Sequence, residues 1–220
     1  EKEEKGIFFL KDSDITYNEY EVEVPSKLIL PDGNFMEFKK IKFLSKQNEY
    51  DDVYTFFFDK KDVAYEVGQY AHLLIEGETR EVRELSFASA PNEDNLMLTM
   101  HVGSNTEFKN KMSKLSEGDE VSLFKIKGKL EFPQVNEKSY VFLSGGVGIT
   151  PFRSILKENK EKDLRIDLVQ VQRGDFLFKN ELENLVNNYY SISPENFDDE
   201  ITDIIEKNKS SLFYICGSKR

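Results

Sequence analysis

The feature that most constrains the fold is a glycine-rich turn between an apolar run and an amphipathic segment. The apolar run spans residues 140–143, the turn reads Gly-Gly-Val-Gly over residues 145–148, and residues 152–156 place apolar side chains at helical spacing. Glycines allow a tight turn and let a pyrophosphate approach the amide groups at a helix N-terminus. The segment therefore predicts a strand, a turn and a helix that bind a dinucleotide, rather than a turn that serves packing alone.

The two residues at the start of the predicted helix fit this interpretation. Thr150 is expected to cap the helix, and Pro151 suits its first turn. The predicted dinucleotide-binding residues of this segment are Gly145, Gly146, Val147, Gly148, Thr150 and Pro151.

The hydrophobic pattern changes along the chain. From residue 36 to about residue 132, short runs alternate apolar and polar residues, and the run at 96–102 predicts a half-buried strand. Such runs predict an antiparallel barrel or sandwich, interrupted by one helix over 107–115. After Pro133, apolar runs alternate with amphipathic segments, as parallel strands and crossover helices do.

We therefore predict two domains after an extension. Residues 1–35 form an N-terminal extension of unassigned role, residues 36–136 an antiparallel β-barrel with one helix, and residues 137–220 an α/β Rossmann-like domain with a parallel sheet. The chain starts with Glu1 and stops soon after an apolar run, so we expect the second domain to be truncated at its C-terminus.

Composition excludes several functions. A net charge of −11 argues against general nucleic-acid affinity, because binding a phosphate backbone requires accumulated Lys and Arg. The single cysteine, Cys216, excludes an internal disulfide and an internal iron-sulfur site, and suggests a reducing, cytoplasmic location. His72 and His101 are the only histidines and lack a ligand cluster, so no metal site is expected. No apolar run is long enough to cross a bilayer.

Four further short motifs occur along the chain, on both sides of the glycine turn. Residues 68–70 read Gly-Gln-Tyr, residues 83–91 Arg-Glu-Leu-Ser-Phe-Ala-Ser-Ala-Pro, residues 118–121 Gly-Asp-Glu-Val, and residues 214–217 Tyr-Ile-Cys-Gly. Together with the glycine turn, they resemble the ferredoxin-NADP reductase family over residues 36–217. The resemblance implies a flavin-binding barrel followed by a nicotinamide-binding domain.

By this resemblance, Arg83 holds a flavin phosphate through charge-assisted bonds and Ser86 lies near flavin N5. Taken singly, each residue has an equally good alternative to the flavin role: Arg83 could form a strand-end salt bridge, and Ser86 could carry a solvated hydroxyl. Leu85 departs from the family, which usually stacks an aromatic residue on the flavin ring. The residues implied to bind FAD are Arg83, Glu84, Leu85, Ser86, Phe87, His101, Val102, Ser104, Asn105 and Thr106. FMN is the weaker expectation, because its single phosphate needs only Arg83.

The resemblance also assigns the nicotinamide side. Cys216 and Gly217 would lie beside the hydride-donating carbon, with Ser86 and Cys216 as the catalytic pair and no covalent intermediate. Arg173, after the second strand of the domain, is in reach of the adenosine ribose and could contact a 2'-phosphate. Because Val171 replaces a hydroxyl residue that often assists, the choice between NADH and NADPH stays open, leaning to NADH.

The implied function is transfer of hydride from NADH or NADPH to flavin N5, with electrons passing to a ferredoxin, a flavodoxin or a fused redox domain. Two alternatives remain. One is a flavin-binding or regulatory module that does not turn over, and the other is a reductase of free flavin or ferric chelates.

Overall fold

The computed structural model describes residues 27–29, 35–75, 82–103, 106–128, 130 and 139–217. The predicted domain boundary between residues 136 and 137 lies outside the described residues. So do Ser104, Asn105 and nearly all of the N-terminal extension.

The first domain is antiparallel throughout its described residues. A short hairpin pairs β1 with β2, and six further strands form one sheet in the order β6-β5-β8-β3-β4-β7. The bounds are β1 Lys27–Ile29, β2 Phe35–Glu37, β3 Lys39–Tyr50, β4 Val53–Asp59, β5 Tyr70–Leu74, β6 Val82–Ser86, β7 Asn95–His101, α1 Glu107–Lys114 and β8 Glu120–Lys127. The edge strands approach each other through a bridge between Phe87 and Leu98, which gives the sheet the curvature of the predicted barrel.

One end of this sheet is covered by α1. Its Phe108 and Met112, four residues apart on one helical face, are almost completely buried in the barrel core. Thr106 caps the helix, and its hydroxyl accepts a hydrogen bond from Lys109 N at 3.4 Å. The helix therefore forms where the apolar spacing predicts it.

Strand β7 differs from the prediction of a half-buried strand. Met97 and Thr99 on its second face are only 8% and 5% exposed. That face is covered by the second domain, whose core includes Val53 on the neighbouring strand β4. The buried hydroxyl of Thr99 lies 2.9 Å from Thr55 Oγ1, so burial does not leave it without a partner.

The second domain is a parallel sheet with helices, in the order β11-β10-β9-β12 among the described residues. Its helical and strand bounds are β9 Ser139–Gly145, α2 Thr150–Glu158, β10 Arg165–Val171, α3 Lys179–Leu182, β11 Asn188–Ile192, α4 Phe197–Lys207 and β12 Leu212–Cys216. Short 3₁₀ turns occupy Gly146–Ile149 and Pro194–Asn196. The chain adds β10 and β11 on one side of β9 and then β12 on the other, so the strand order reverses between β9 and β12.

Two local predictions need correction. Among the amphipathic segments expected as crossover helices, α3 is only a single turn, and the alternation of apolar runs did not predict the strand β11 that follows it. Strand β11 carries no run of aliphatic residues, and it forms because it pairs along β10, with Asn187 Oδ1 accepting from Ile166 N at 2.7 Å. The second correction concerns Thr150, which does not cap α2. It is the first helical residue, and its hydroxyl donates to Val147 O at 3.0 Å because the 3₁₀ turn leads directly into the helix.

The end of β12 lies directly over the glycine turn. A Cβ atom on Gly148 would stand 2.4 Å from the carbonyl oxygen of Cys216 and 2.8 Å from Gly217 Cα. Gly146 has a different constraint, since its φ of +54° favours glycine while the space around it is open. The two glycines are therefore required for different reasons, one for backbone contact and one for conformation.

We predict that Gly148→Ala lowers the free energy of unfolding by about 3 kcal/mol, because backbone atoms have to move to admit the methyl group. Gly146→Ala serves as the control and should cost about 1 kcal/mol for its left-handed backbone. Urea unfolding measures both. Reaction of Cys216 with a thiol reagent should accelerate only in Gly148→Ala, since β12 is displaced there. Equal thiol reactivity in the two variants would contradict the prediction.

Candidate functional site

The glycine turn lies at the carboxyl edge of the parallel sheet, where the strand order reverses. Ligands of open parallel sheets bind outside the carboxyl ends of strands at such a point. The 3₁₀ turn at Gly146–Ile149 also lies against β7 of the first domain, so the edge faces the domain boundary.

The turn has the properties of an anion cradle. Val147 packs against the core of the second domain and anchors the turn, while the space beside Gly146 is open. No side chain among the described residues caps α2, whose N-terminal amide groups follow the turn. Pro151 is buried in the first turn of α2, as predicted. A pyrophosphate fits this arrangement, because its charge suits both the amide groups and the helix dipole.

Cys216 lies across the strand reversal from this turn. It pairs in register with Ser144 on β9, and a Cβ atom on the next residue, Gly217, would stand 3.4 Å from Gly145 Cα. Burial raises the pKa of the half-buried Cys216 thiol above its usual range, so the thiol stays protonated at neutral pH. A protonated thiol suits a residue that orients a ligand, as the family resemblance implies for Cys216, rather than a nucleophile.

Arg173 lies farther along the same edge, just past the end of β10. Its Nε donates to Glu195 Oε1 at 2.9 Å, and Glu195 follows β11 on the adjacent strand. Both side chains are exposed. The sequence predicts Arg173 as a contact but gives no sign of Glu195, because no local pattern indicates the strand β11 that brings the two loops together.

On the first domain, Arg83 lies beside the N-terminal turn of α1. Its guanidinium carbon is 5.6 Å from the centre of the Phe108 ring, and its Nη1 donates to Val82 O at 2.9 Å. Strands β6 and β7 approach each other at the Phe87–Leu98 bridge. The Arg83 cation thus lies beside the first turn of α1, which Thr106 caps, as expected for a phosphate site.

The other residues of the predicted flavin segment have distinct surroundings. Leu85 packs against the barrel core, and Phe87 is completely buried with its ring stacked 4.0 Å from that of Tyr65. Glu84 faces the opposite side, where it bonds His72 Nε2 at 3.0 Å. Ser86 is the last residue of β6, where it pairs with Tyr70 on β5. Apolar contacts thus fix the segment while Arg83 and Ser86 retain partly exposed polar groups.

His101 has a partner that the sequence did not predict. Its Nδ1 lies 2.9 Å from Asp52 Oδ1, and the second carboxylate oxygen accepts from Gly103 N at 2.9 Å. A Cβ on Gly103 would collide with Asp52, at 2.2 Å from Oδ2. Asp52 therefore fixes the chain where it leaves β7, directly before the residues that the resemblance implies bind FAD.

This contact predicts a pH-dependent contribution to stability. The hydrogen bond from His101 holds the pKa of Asp52 below its ordinary value of 3.8, with Gly103 N also lowering it. A depressed pKa in the folded state stabilises the fold above the unfolded-state pKa, and this contribution is lost as the pH falls through the folded-state value. Urea unfolding should therefore find Asp52→Asn less stable than the parent chain at pH 7, with the difference shrinking below pH 4. A constant difference from pH 7 to pH 3 would contradict this origin.

No protein-family model matches the chain. A flavohemoprotein from Pseudomonas aeruginosa is 29% identical over 135 residues, which are 58% of this chain and 34% of that protein. The chain thus spans about a third of the length of this curated relative.

Solved structures resemble more of the chain. A mutant ferredoxin-NADP+ reductase from Plasmodium falciparum in complex with 2'P-AMP has a TM-score of 0.71 at 21% identity, covering 83% of this chain and 88% of that one. A ferredoxin NADP+ reductase from Neisseria gonorrhoeae with bound FAD and NADP has a TM-score of 0.68 at 22% identity, covering 82% and 85%.

The described residues contain no helix that is both long and apolar enough to cross a membrane. The predicted two-domain fold class is confirmed, with an antiparallel sheet domain followed by a parallel sheet with helices. The chain therefore has the fold of the ferredoxin-NADP reductases, and its relatives and structural neighbours confirm the resemblance to this flavoprotein family that its motifs carry.

Proposed function

We propose that the chain is an FAD-dependent oxidoreductase that takes hydride from NADH or NADPH and passes electrons to a protein carrier or a fused redox domain. The observation that carries the proposal is the strand reversal between β9 and β12, where an open glycine turn meets Cys216 and Gly217. Neighbours of the same fold that bind FAD and NADP support it.

The residues of the candidate site have distinct proposed roles in binding the two cofactors. The amide groups of residues 145–148 bind the pyrophosphate of the dinucleotide. Cys216 and Gly217 lie beside the position of the nicotinamide ring. Arg83 and the α1 N-terminus at Thr106 bind flavin phosphate, and Ser86 donates a hydrogen bond near the reacting nitrogen. Bound flavin supplies the ability to accept hydride and release electrons singly, which no side chain of this chain offers.

The proposed electron acceptor is defined by its chemical class. Hydride arrives as an electron pair, and the resemblance to flavohemoproteins favours a redox group in a fused domain or a separate carrier as its destination. We propose a cytoplasmic location, consistent with a lone cysteine.

Anaerobic titration of the purified chain tests the function. The expected result is a yellow protein that retains FAD through gel filtration and is bleached by NADH or NADPH. Retained flavin that neither nucleotide reduces would favour the regulatory module. Flavin that separates on gel filtration but is reduced in solution would favour a free-flavin reductase, and failure to bind added FAD would contradict a flavin function.

The ion pair between Arg173 and Glu195 bears on the choice of nucleotide. The two residues follow adjacent parallel strands, about 5 Å apart, on the side of β9 toward which the adenosine is expected to extend. A 2'-phosphate has to compete with the Glu195 carboxylate for Arg173, whereas a ribose diol can accept a hydrogen bond from Arg173 and donate one to Glu195. We therefore propose a preference for NADH.

Glu195→Gln should raise the affinity for 2'-phospho-AMP by about three- to tenfold, since it removes one like charge at an exposed site, and should leave AMP binding nearly unchanged. Arg173→Gln is the matched control and should weaken 2'-phospho-AMP binding instead. Isothermal titration at low salt measures both ligands. An equal response of AMP and 2'-phospho-AMP to Glu195→Gln would contradict a role of Glu195 in selecting the nucleotide.

A further inference from the structure

Arg153 occupies a buried position on α2, one turn after the glycine turn, with its side chain 5% exposed. Its guanidinium makes two hydrogen bonds to the Glu93 carboxylate at 2.8 and 3.0 Å and two to the Glu181 carboxylate at 2.8 and 3.0 Å. A fifth bond reaches Ala88 O at 2.7 Å. A guanidinium has five N–H donors, so this geometry uses all of them.

The partners of Arg153 belong to different domains. Glu181 lies on α3 of the second domain, whereas Glu93 and Ala88 belong to the first domain. A second side chain of α2 also bonds across the boundary, since Ser154 Oγ donates to Ser89 O at 2.8 Å. The group formed by Arg153, Glu93, Glu181 and Ala88 O, termed here the Arg153 cluster, thus ties α2 to the first domain.

The charges of the cluster support one another. Burial alone would raise the pKa of Glu93, but the hydrogen bonds from Arg153 and Ala90 N, with the Arg153 charge, hold it below its usual range. Lys157 Nζ lies 2.7 Å from Glu181 and 4.0 Å from Glu93, so two cations face two carboxylates. Bidentate pairing fixes direction as well as distance, which a single ammonium group does not do.

The Arg153 cluster joins two backbone segments, each of which lies only a few residues from one of the proposed binding sites. Ala88 follows Ser86 by two residues within the predicted flavin segment, and Arg153 follows Gly148 by five residues. Between Gly148 and Arg153 the backbone is helical, and between Ser86 and Ala88 it ends β6 and bridges to β7 through Phe87. Little slack therefore separates the cluster from either site.

We propose that Arg153 is a positioning residue, which sets the separation and orientation of the flavin and nicotinamide sites by joining α2 to residues 88–93. The inference rests on the proposed function, because hydride transfer requires reacting atoms about 3–3.5 Å apart and a displacement of about 1 Å can cost a hundredfold in rate. Arg153 acts through the backbone segments that it joins, without contact with the reacting atoms.

Two isosteric variants separate positioning from local stability. Glu93→Gln weakens the bond between domains, and Glu181→Gln weakens the bond within the second domain at the same guanidinium. Both remove one carboxylate charge, so both are expected to lower the melting temperature. The proposal predicts that flavin reduction by saturating NADH, followed in anaerobic stopped flow, slows about tenfold or more in Glu93→Gln and less than twofold in Glu181→Gln. KM should change little in either variant.

Calorimetry of the flavin-free chains gives a readout independent of turnover. Glu93→Gln should raise the ratio of calorimetric to van't Hoff enthalpy, because the domains unfold less cooperatively, while Glu181→Gln should leave the ratio unchanged. Equal reduction rates in the two variants, or equal enthalpy ratios, would overturn the positioning role. Failure of the parent chain to be reduced by either nucleotide would instead contradict the proposed function, and the enthalpy ratios would still decide whether the cluster couples the domains.

Discussion

The close backbone approach of β12 to the glycine turn is the constraint on which the candidate site depends. Strand β12 has to enter the sheet on the far side of β9 for the strand order to reverse there, and it then ends above Gly148 with no room for a side chain between them. The reversal opens the carboxyl edge, and the bare backbone keeps it shallow enough for an anion to reach amide groups. Val147, partly buried against the domain core, holds the turn in this position.

A second requirement is that the two domains form one unit. From the first domain, Val53 belongs to the core of the second and Tyr50 packs against that core, where burial raises the pKa of the Tyr50 hydroxyl to about 12. Around this apolar contact lie hydrogen-bonded polar groups that cross the domain boundary, such as Ser154 with Ser89 and Arg153 with Glu93. Apolar burial supplies most of the attraction, whereas the bidentate and hydroxyl bonds specify one relative arrangement.

The comparison with reductases near 20% identity indicates which properties this fold retains. The alternation of the barrel strands and the apolar runs of the parallel sheet tolerate almost complete replacement of side chains, because burial depends on pattern and volume more than on identity. Leu85 illustrates this tolerance. It departs from the family pattern at a predicted flavin contact, yet its side chain packs well against the barrel core.

The sequence alone determined the features whose causes are local. The periodicity of the strands, the spacing of Phe108 and Met112 in α1, and the glycine turn between strand and helix each follow from neighbouring residues, and all are present in the structure. Tertiary structure decided what depends on distant residues. Asp52 meets His101 across 49 positions, Glu93 meets Arg153 across 60, and β11 exists only because β10 offers it an edge. No short-range pattern encodes these contacts, since a carboxylate in a polar turn has the same local sequence whether it faces water or a buried guanidinium.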